Sequence, residues 1–572
     1  MKKIYIIIIA LAFLMGCSND EEIKGEYDVI VLSGEPEGVS AAVSAARHGA
    51  SVLLIEHRDS LGGLMTHGML NYLDLPQNDE GTVVSKGIFE EWHQLVGGTH
   101  INTVDLDVAT DAFRQLVDEE ENIDLLLNTE VQDVRVEDST LQAVQIEDEW
   151  IEGERFIDSS PDGDLAAMAG APYFIGQADI NKEGQMAATL MIYLENVDWD
   201  KVKEAANNGV LGGGGVSDTA AWGFADAWFA YDEVVEDDRT NIRGLNIGRT
   251  EKGEVFINTL QIFDVDGLDE ESQQEALEIG KKETESFVPW LRENLPGFED
   301  AEIVRYPDEL YIRETRHIES EYMLKITDLW ENKHHWDDIA IGGYPADIQA
   351  TSKFTYGSVN VNPNQYGIPF RSLVPLEVDN LLVASKASGY SSLAAGSARV
   401  IPTGMATAEA AGVASTISIE NDLTFREMNE SEQLIEELQN KLVEAGAYLE
   451  QLEDPDYAYK GEPYYPAIKN LLLYDLVNGG YQNDLRLDEE MLADQFIEKM
   501  VHGIERLELE VPTGSIDALE QYRETVNDDE ILTDRIVRDV FEIAGWEIER
   551  ADQNKTWSRL DALLELEYQI FD

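Results

Sequence analysis

The fold is decided by one stretch of the chain: Tyr27-Asp28-Val29-Ile30-Val31-Leu32, then Ser33-Gly34-Glu35-Pro36-Glu37-Gly38, then Val39 to His48, Gly49, and Ser51-Val52-Leu53-Leu54-Ile55-Glu56. The first run is almost continuously apolar and β-branched, the pattern of a strand buried on both faces of a parallel sheet. Ser33 to Gly38 predicts a turn. Val39 to His48 predicts an alanine-rich helix that Gly49 ends, and Ser51 to Glu56 a second buried strand tipped by an acid. Strand, glycine turn, helix, strand and acid in this order are the physical signature of dinucleotide binding. Glycine lets backbone N–H groups approach a pyrophosphate, the helix N-terminus adds a favourable dipole, and the acid accepts from ribose hydroxyls. Glu56 stands 18 residues after Gly38, as that role requires. In the G-x-G-x-x-G register, however, Gly38 is the only one of the three glycines matched. Glu35 and Glu37 beside a pyrophosphate would repel it unless they point to solvent.

Working outward, Leu61-Gly62-Gly63-Leu64-Met65-Thr66 places a double-glycine turn just beyond the second strand. Ile123 to Val136 and Leu141 to Ile157 alternate like antiparallel strands. Ile157-Asp158-Ser159-Ser160-Pro161-Asp162-Gly163-Asp164 runs an apolar strand into an acid-rich turn. Asn380-Leu381-Leu382-Val383-Ala384 is another buried strand, and Gly396 to Ile417 a small-residue helix suited to close packing.

Those segments, in that order, resemble the bacterial FAD-dependent oxidoreductases whose first turn reads Gly-Gly-x-Pro-x-Gly and is followed by Leu-Gly-Gly-Met. Arg243-Gly244-Leu245-Asn246, Tyr311 to His317, Gly343 to Ile348, Tyr366 to Pro375 and Gly396 to Thr403 extend the resemblance over roughly residues 27 to 418. Ser33 replaces the first glycine, and Ser385-Lys386 stands where the family has Gly-Arg. The resemblance implies an α/β fold: a Rossmann-like FAD-binding domain of the glutathione-reductase-like, two-domain kind, with an inserted α+β substrate domain and a C-terminal helical region. It implies FAD held by Ser33, Gly34, Pro36, Glu37, Gly38, Glu56, Gly62 and Gly63, by Asp162, Gly163 and Asp164, and by Arg399, Pro402 and Thr403. The segment around Arg399 would lie near flavin N1 and O2, where a cation stabilises the reduced ring.

Arg313, Arg316 and His317 stand together in an acidic chain and are the candidates for binding a substrate carboxylate or stabilising an enolate. His67, just after the double-glycine turn, is a candidate to approach the flavin or to attach to it covalently. His334-His335 lacks a second ligand pair at metal-binding spacing, so no metal site is expected.

Lys plus Arg number 41 and Asp plus Glu 114, a net charge of −73 spread along the whole chain. Such a surface repels phosphate backbones, so nucleic acid is excluded as a partner. The even spread resembles a solubility adaptation, as in proteins that work in high salt, where charges are screened. The single cysteine, Cys17, follows Lys2-Lys3, the apolar run Ile4 to Leu14 and Leu14-Met15-Gly16, which resembles a bacterial lipoprotein signal cleaved before a diacylated Cys17. The expected organisation is therefore signal 1–17, tether 18–26, FAD-binding domain 27–176 and 331–421, substrate domain 177–330, and helical region 422–572. Within the last, 459–503 (Tyr464-Tyr465, Gly479-Gly480-Tyr481, Arg486-Leu487-Asp488) resembles one degenerate S-layer-homology repeat, a module that binds cell-wall polymer. The expected protein is an FAD-dependent oxidoreductase, lipid-anchored on the outer face of the cell membrane and acting on a small organic molecule. The alternative is a non-catalytic surface binding protein whose eroded turn has lost FAD.

Overall fold

The computed structural model describes residues 24–98, 102–232, 234–451, 456–547 and 555–571. Strand β1 (Glu26–Leu32) leads through helix α1 (Pro36–Arg47) to β2 (Val52–Ile55), and helix α2 (Leu106–Asp118) precedes β3 (Ile123–Leu126). The three strands pair in parallel, with β2 between β1 and β3. The β2 run Val52-Leu53-Leu54-Ile55 is buried throughout, as a strand between two helical layers must be. Ile123–Leu126, expected to join an antiparallel meander, is instead the edge of this parallel sheet. The meander consists of β4 (Asp133–Glu137), β5 (Thr140–Ile146) and β6 (Glu149–Asp158). The longer β6 serves both systems. Its start pairs with β5, while its end runs parallel to β1 on one side and to Leu381–Val383 on the other. The C-terminal ends of β1, β2 and β6 thus open toward one crevice, where ligands of such sheets bind.

Two helices frame that crevice. Pro36 opens α1 at a first-turn position that needs no N–H donor. The predicted small-residue helix is broken at Arg399 and Val400 into Ser392–Ala398 and α3 (Ile401–Asn421). Helix α3 runs alongside α1 in parallel, with Ser40 Oγ donating to the Met405 carbonyl and Ser44 Oγ to that of Glu409, both at 2.7 Å. A Cβ on Gly412 would lie 2.5 Å from the Ala41 carbonyl oxygen, so this contact requires glycine. Parallel packing brings both N-termini, with their unpaired N–H groups, to the same end.

Between the two portions of this unit lies a six-stranded antiparallel sheet, in the order Glu302–Ile303, Ala188–Glu195, Val255–Ile262, Thr240–Arg249, Ala220–Gly223, Gly214–Val216. The long helix Glu270–Asn294 buries Phe287, Val288 and Leu291 in the core it shares with this sheet. After α3, helix Glu432–Glu444 returns Leu434, Ile435, Leu438 and Leu442 to the core of the parallel sheet. The remaining helices share one core with residues 324–398, joining Ile468, Phe496 and Val540 to Trp330, Ile348 and Leu393. Three of them, Ala493–Arg506, Asp534–Ala544 and Arg559–Phe571, are each entered through a short extended segment. Those segments bridge one another at Glu490–Ser558, Leu492–Ile531 and Thr533–Thr556. Among the described residues no helix is long and apolar enough to cross a membrane. Cys17 and the proposed signal lie outside the described residues.

Candidate active site

The first turn is built on steric necessity. A Cβ at Gly38 would fall 1.8 Å from the Ser33 carbonyl oxygen, so only glycine allows α1 to start this close to β1. Ser33 replaces a glycine yet keeps a left-handed backbone (φ 82°), buried, with its N–H on the Ile55 carbonyl at 2.7 Å. Gly62 N–H closes the double-glycine turn on the Gly34 carbonyl at 2.8 Å.

The acids of this turn depart from expectation. Glu35 and Glu37 are buried, not turned to solvent. The Glu35 carboxylate lies against Gly63, where an added Cβ would meet it at 1.9 Å. It accepts the Leu64 N–H at 2.9 Å and pairs with Arg58 Nη2 at 3.0 Å. Burial raises its proton affinity, partly countered by Arg58. Glu37, beside Gly404 at the start of α3, is pushed up to about 8 by burial and by Glu35. Glu56 is turned inward as well. Its carboxylate is fully buried and accepts the Gly34 N–H at 2.5 Å and the Arg58 N–H at 2.7 Å. Burial opposes its charge, but His57 and Arg58 outweigh that and hold it down at about 2. It braces the turn and faces no cavity, whereas its neighbour His57 lines the cleft.

Three cavities follow one another through the crevice. The first, about 620 Å³, lies at Ser33, His57, Pro161, Asp164 and Arg316. The second, about 330 Å³, is walled by Glu35, Glu37, Arg58, Asp162, Lys386 and Pro402, and shares His57, Pro161 and Asp164 with the first. The third, about 480 Å³, reaches the inserted sheet and shares Asp74, Tyr311, Arg313 and Arg399 with the second. The acid-rich turn after β6 is cross-linked over the second cavity. Asp162 accepts from Thr315 Oγ1 at 2.5 Å and Lys386 Nζ at 3.0 Å, and Asp164 pairs with Arg316 at 2.7 Å. Gly163 (φ 64°) makes the bend. Pro402 lines the cleft at the start of α3, and the Thr403 hydroxyl beside it is buried without a partner.

The basic cluster read from the sequence is dispersed. In this extended segment successive side chains point apart. Arg313 faces the third cavity, donating to the Ala187 carbonyl and Thr189 Oγ1 at 2.8 Å each. Arg316 faces the first cavity, 5.3 Å from the centre of the Tyr173 ring. His317 is buried against Phe174 and lines neither, with Glu314 3.8 Å from it. His67 is bonded to Ser60 Oγ at 3.0 Å and does not line the second or third cavity. Arg399 does face the third cavity, with Nη1 on the Tyr311 hydroxyl at 2.6 Å. Asp74, Tyr344 and Arg243 were missed. Arg243 and Tyr344 lie in segments that carry the family resemblance, but nothing in the sequence shows that folding brings them together with Asp74. Asp74 bonds the Tyr344 hydroxyl and is pushed up to about 6 by burial and by Asp347.

A parallel sheet with a steric glycine turn, an acid-tipped second strand and a cleft running onward into an antiparallel insert define an oxidoreductase built on a dinucleotide-binding flavoprotein fold. The chain belongs to the FAD dependent oxidoreductase family, whose model matches residues 28–442, and its cofactor is FAD. A soluble pyridine nucleotide transhydrogenase of Chromohalobacter salexigens is 33% identical over 70 residues, a match spanning 12% of this chain and 12% of that relative's length. Among solved structures, a geranylgeranyl bacteriochlorophyll reductase-like protein of Thermoplasma acidophilum aligns at 11% identity over 91% of this chain and 96% of its own, TM-score 0.37. The myxobacterial chondrochloren halogenase CndH aligns at 12% identity over 80% and 92%, TM-score 0.36.

The residues at the start of α1 and α3 fit the cofactor. The unpartnered Thr403 hydroxyl and the clustered N-termini of α1 and α3 suit an anionic or hydrogen-bonding group. The Glu35 carboxylate holds the Leu64 N–H, a donor of the kind a pyrophosphate oxygen uses. For FAD to use that N–H, Glu35 would have to be displaced; Arg58, paired here with Glu35, Glu56 and Glu309, would then offer a cation beside the freed donor.

Proposed function

We propose that this protein transfers a hydride between flavin N5 and a small organic substrate held in the third cavity, as an extracytoplasmic lipoprotein anchored through Cys17. The observation that carries the catalytic reading is the continuity of the cleft: residues of the turn after β1, of the segment after β6, and of the inserted sheet line successive, overlapping cavities. When bound, FAD supplies two-electron chemistry that no side chain offers. The chain's own residues then orient and discharge. Gly38, Gly62 and Gly63 admit the backbone closely, Arg58 and Lys386 provide cations along the cleft, and the Asp74–Tyr344 pair can hold or pass a proton in the third cavity. The strand order β3-β2-β1-β6 with a crossing meander supports a glutathione-reductase-like arrangement, and the insert supports a separate substrate domain. Purified protein should show a flavin band near 450 nm that bleaches anaerobically with substrate. Protein that stays colourless after incubation with FAD would overturn the reading in favour of a binding protein. Cys17→Ala should release the protein from the membrane fraction. Binding of the 459–503 segment to cell-wall polymer is tested by sedimentation with purified walls.

A further inference from the structure

In a chain with 41 basic residues against 114 acidic ones, three guanidinium groups meet in the third cavity: Arg243, Arg313 and Arg399. They are near enough to repel one another, and burial first, then Arg399 and Arg243, draws Arg313 down to about 10. Such a gathering costs free energy unless something negative repays it. The protein does so only in part. Arg313 is committed to a carbonyl, a hydroxyl, the Asn258 side-chain oxygen at 3.4 Å and the face of Tyr311, whose ring centre is 4.1 Å away. Arg399 bonds Tyr311, but its Nε is buried without any partner. The Arg243 side chain lines the cavity with no hydrogen bond or ion pair among the described residues. Opposing them are two carboxylates, Asp74 and Asp347. Three positive charges against two negative ones leave a surplus, with unused donors in the buried Arg399 Nε and the Arg243 guanidinium.

Resting on the flavin reading of this cleft, we propose that the third cavity binds a small carboxylate-bearing molecule, its carboxylate taken by Arg243 and by the free Nε edge of Arg399. A guanidinium's planar donors match a carboxylate in geometry as well as charge. Trp222 from the inserted sheet and Tyr481 from the C-terminal region line the same cavity and are 48% and 62% exposed, so they stand at its mouth and receive the remainder of the molecule. Tyr481 is held there by its carbonyl, which accepts from Asn362 Nδ2 at 2.9 Å, and by Asn483 Nδ2 on the Asn362 carbonyl at 2.7 Å.

The test is calorimetry on the full chain loaded with FAD, using succinate, benzoate and glucuronate, each against its neutral amide. At least one acid should bind tenfold or more tighter than its amide. Arg243→Gln should remove that preference without altering flavin content, since the side chain makes no bond among the described residues. Asp74→Asn, which deletes an opposing charge, should strengthen acid binding threefold or more. If the flavin-loaded protein prefers no acid over its amide, or if Arg243→Gln keeps the preference, the assignment is overturned while the flavin reading stands. Failure to take up FAD at all would instead strike the reading on which it rests.

Discussion

Glu35 stands at the place in the turn where glycine normally lets a phosphate approach, and its carboxylate is folded down onto the Leu64 N–H beside Arg58. Removing it frees that donor and deletes a buried negative charge facing the phosphates. Glu35→Gly should therefore tighten FAD binding tenfold or more, about 1.4 kcal/mol, as read by quenching of protein fluorescence. Unchanged affinity would mean that the carboxylate swings away at no cost. Glu37 bears on stability. Its ordinary value of 4.5 rises to about 8 in the folded protein, so the folded state holds this proton more tightly than the unfolded chain. Its contribution is full below about 4.5 and is lost as pH climbs toward 8. Glu37→Gln should lose less Tm than the parent between pH 5 and pH 8, measured by calorimetric scans. Equal losses would remove Glu37 as the cause.

At the scale of elements, the site depends on the pairing of α1 with α3. Both helices are rich in small residues, and Gly412 lets the backbones nearly touch. Gly412→Val places atoms where the Ala41 carbonyl sits and should cost at least ~1–3 kcal/mol of stability. It should also weaken FAD binding, because the two N-termini at the cleft move with the helices. Denaturant unfolding and FAD titration check the two effects together. A folded variant with normal affinity would show that the helix ends are positioned independently of the contact. The segment 313–317 makes the opposite point about elements: residues adjacent in sequence were parted by extended geometry, Arg313 to one cavity and Arg316 to another.

The whole molecule carries 73 excess negative charges, which repel one another across the surface. Screening shortens from about 10 Å at 0.1 M salt to about 3 Å at 1 M, so Tm should rise by several degrees between those concentrations of KCl. A flat or falling Tm would show that the charges are already offset within the fold. The C-terminal helices are structural partners of the rest of the molecule: Ile468, Leu476 and Phe496 share a core with Leu324, Trp330 and Ile348. Each such side chain is worth about 1.5–3 kcal/mol on burial, and a domain's net stability is only about 5–15 kcal/mol. A chain ending at residue 451 should therefore fail to accumulate as folded protein, measured by soluble yield and circular dichroism.

The first strand–helix–strand unit and its turn were legible because they are local: strand burial, the glycine forced by Ser33, and the acid-tipped second strand all lie within residues 27–56; the edge strand Ile123–Leu126 was not, because its pairing with β2 is long-range. Net charge likewise needs no structure, and the family's motifs marked the segments that border the cleft. What the side chains do there was decided by tertiary packing. Glu56 is turned inward onto the Gly34 and Arg58 N–H groups with His57 beside it, and Glu35 is folded into the cradle against Arg58 and the Leu64 N–H. The cationic cavity draws Arg243, Arg313 and Arg399 from segments far apart in sequence. A spacing rule reads neighbours along the chain, and these residues become neighbours only when the inserted sheet, the segment before α3 and the C-terminal turn are packed around one space.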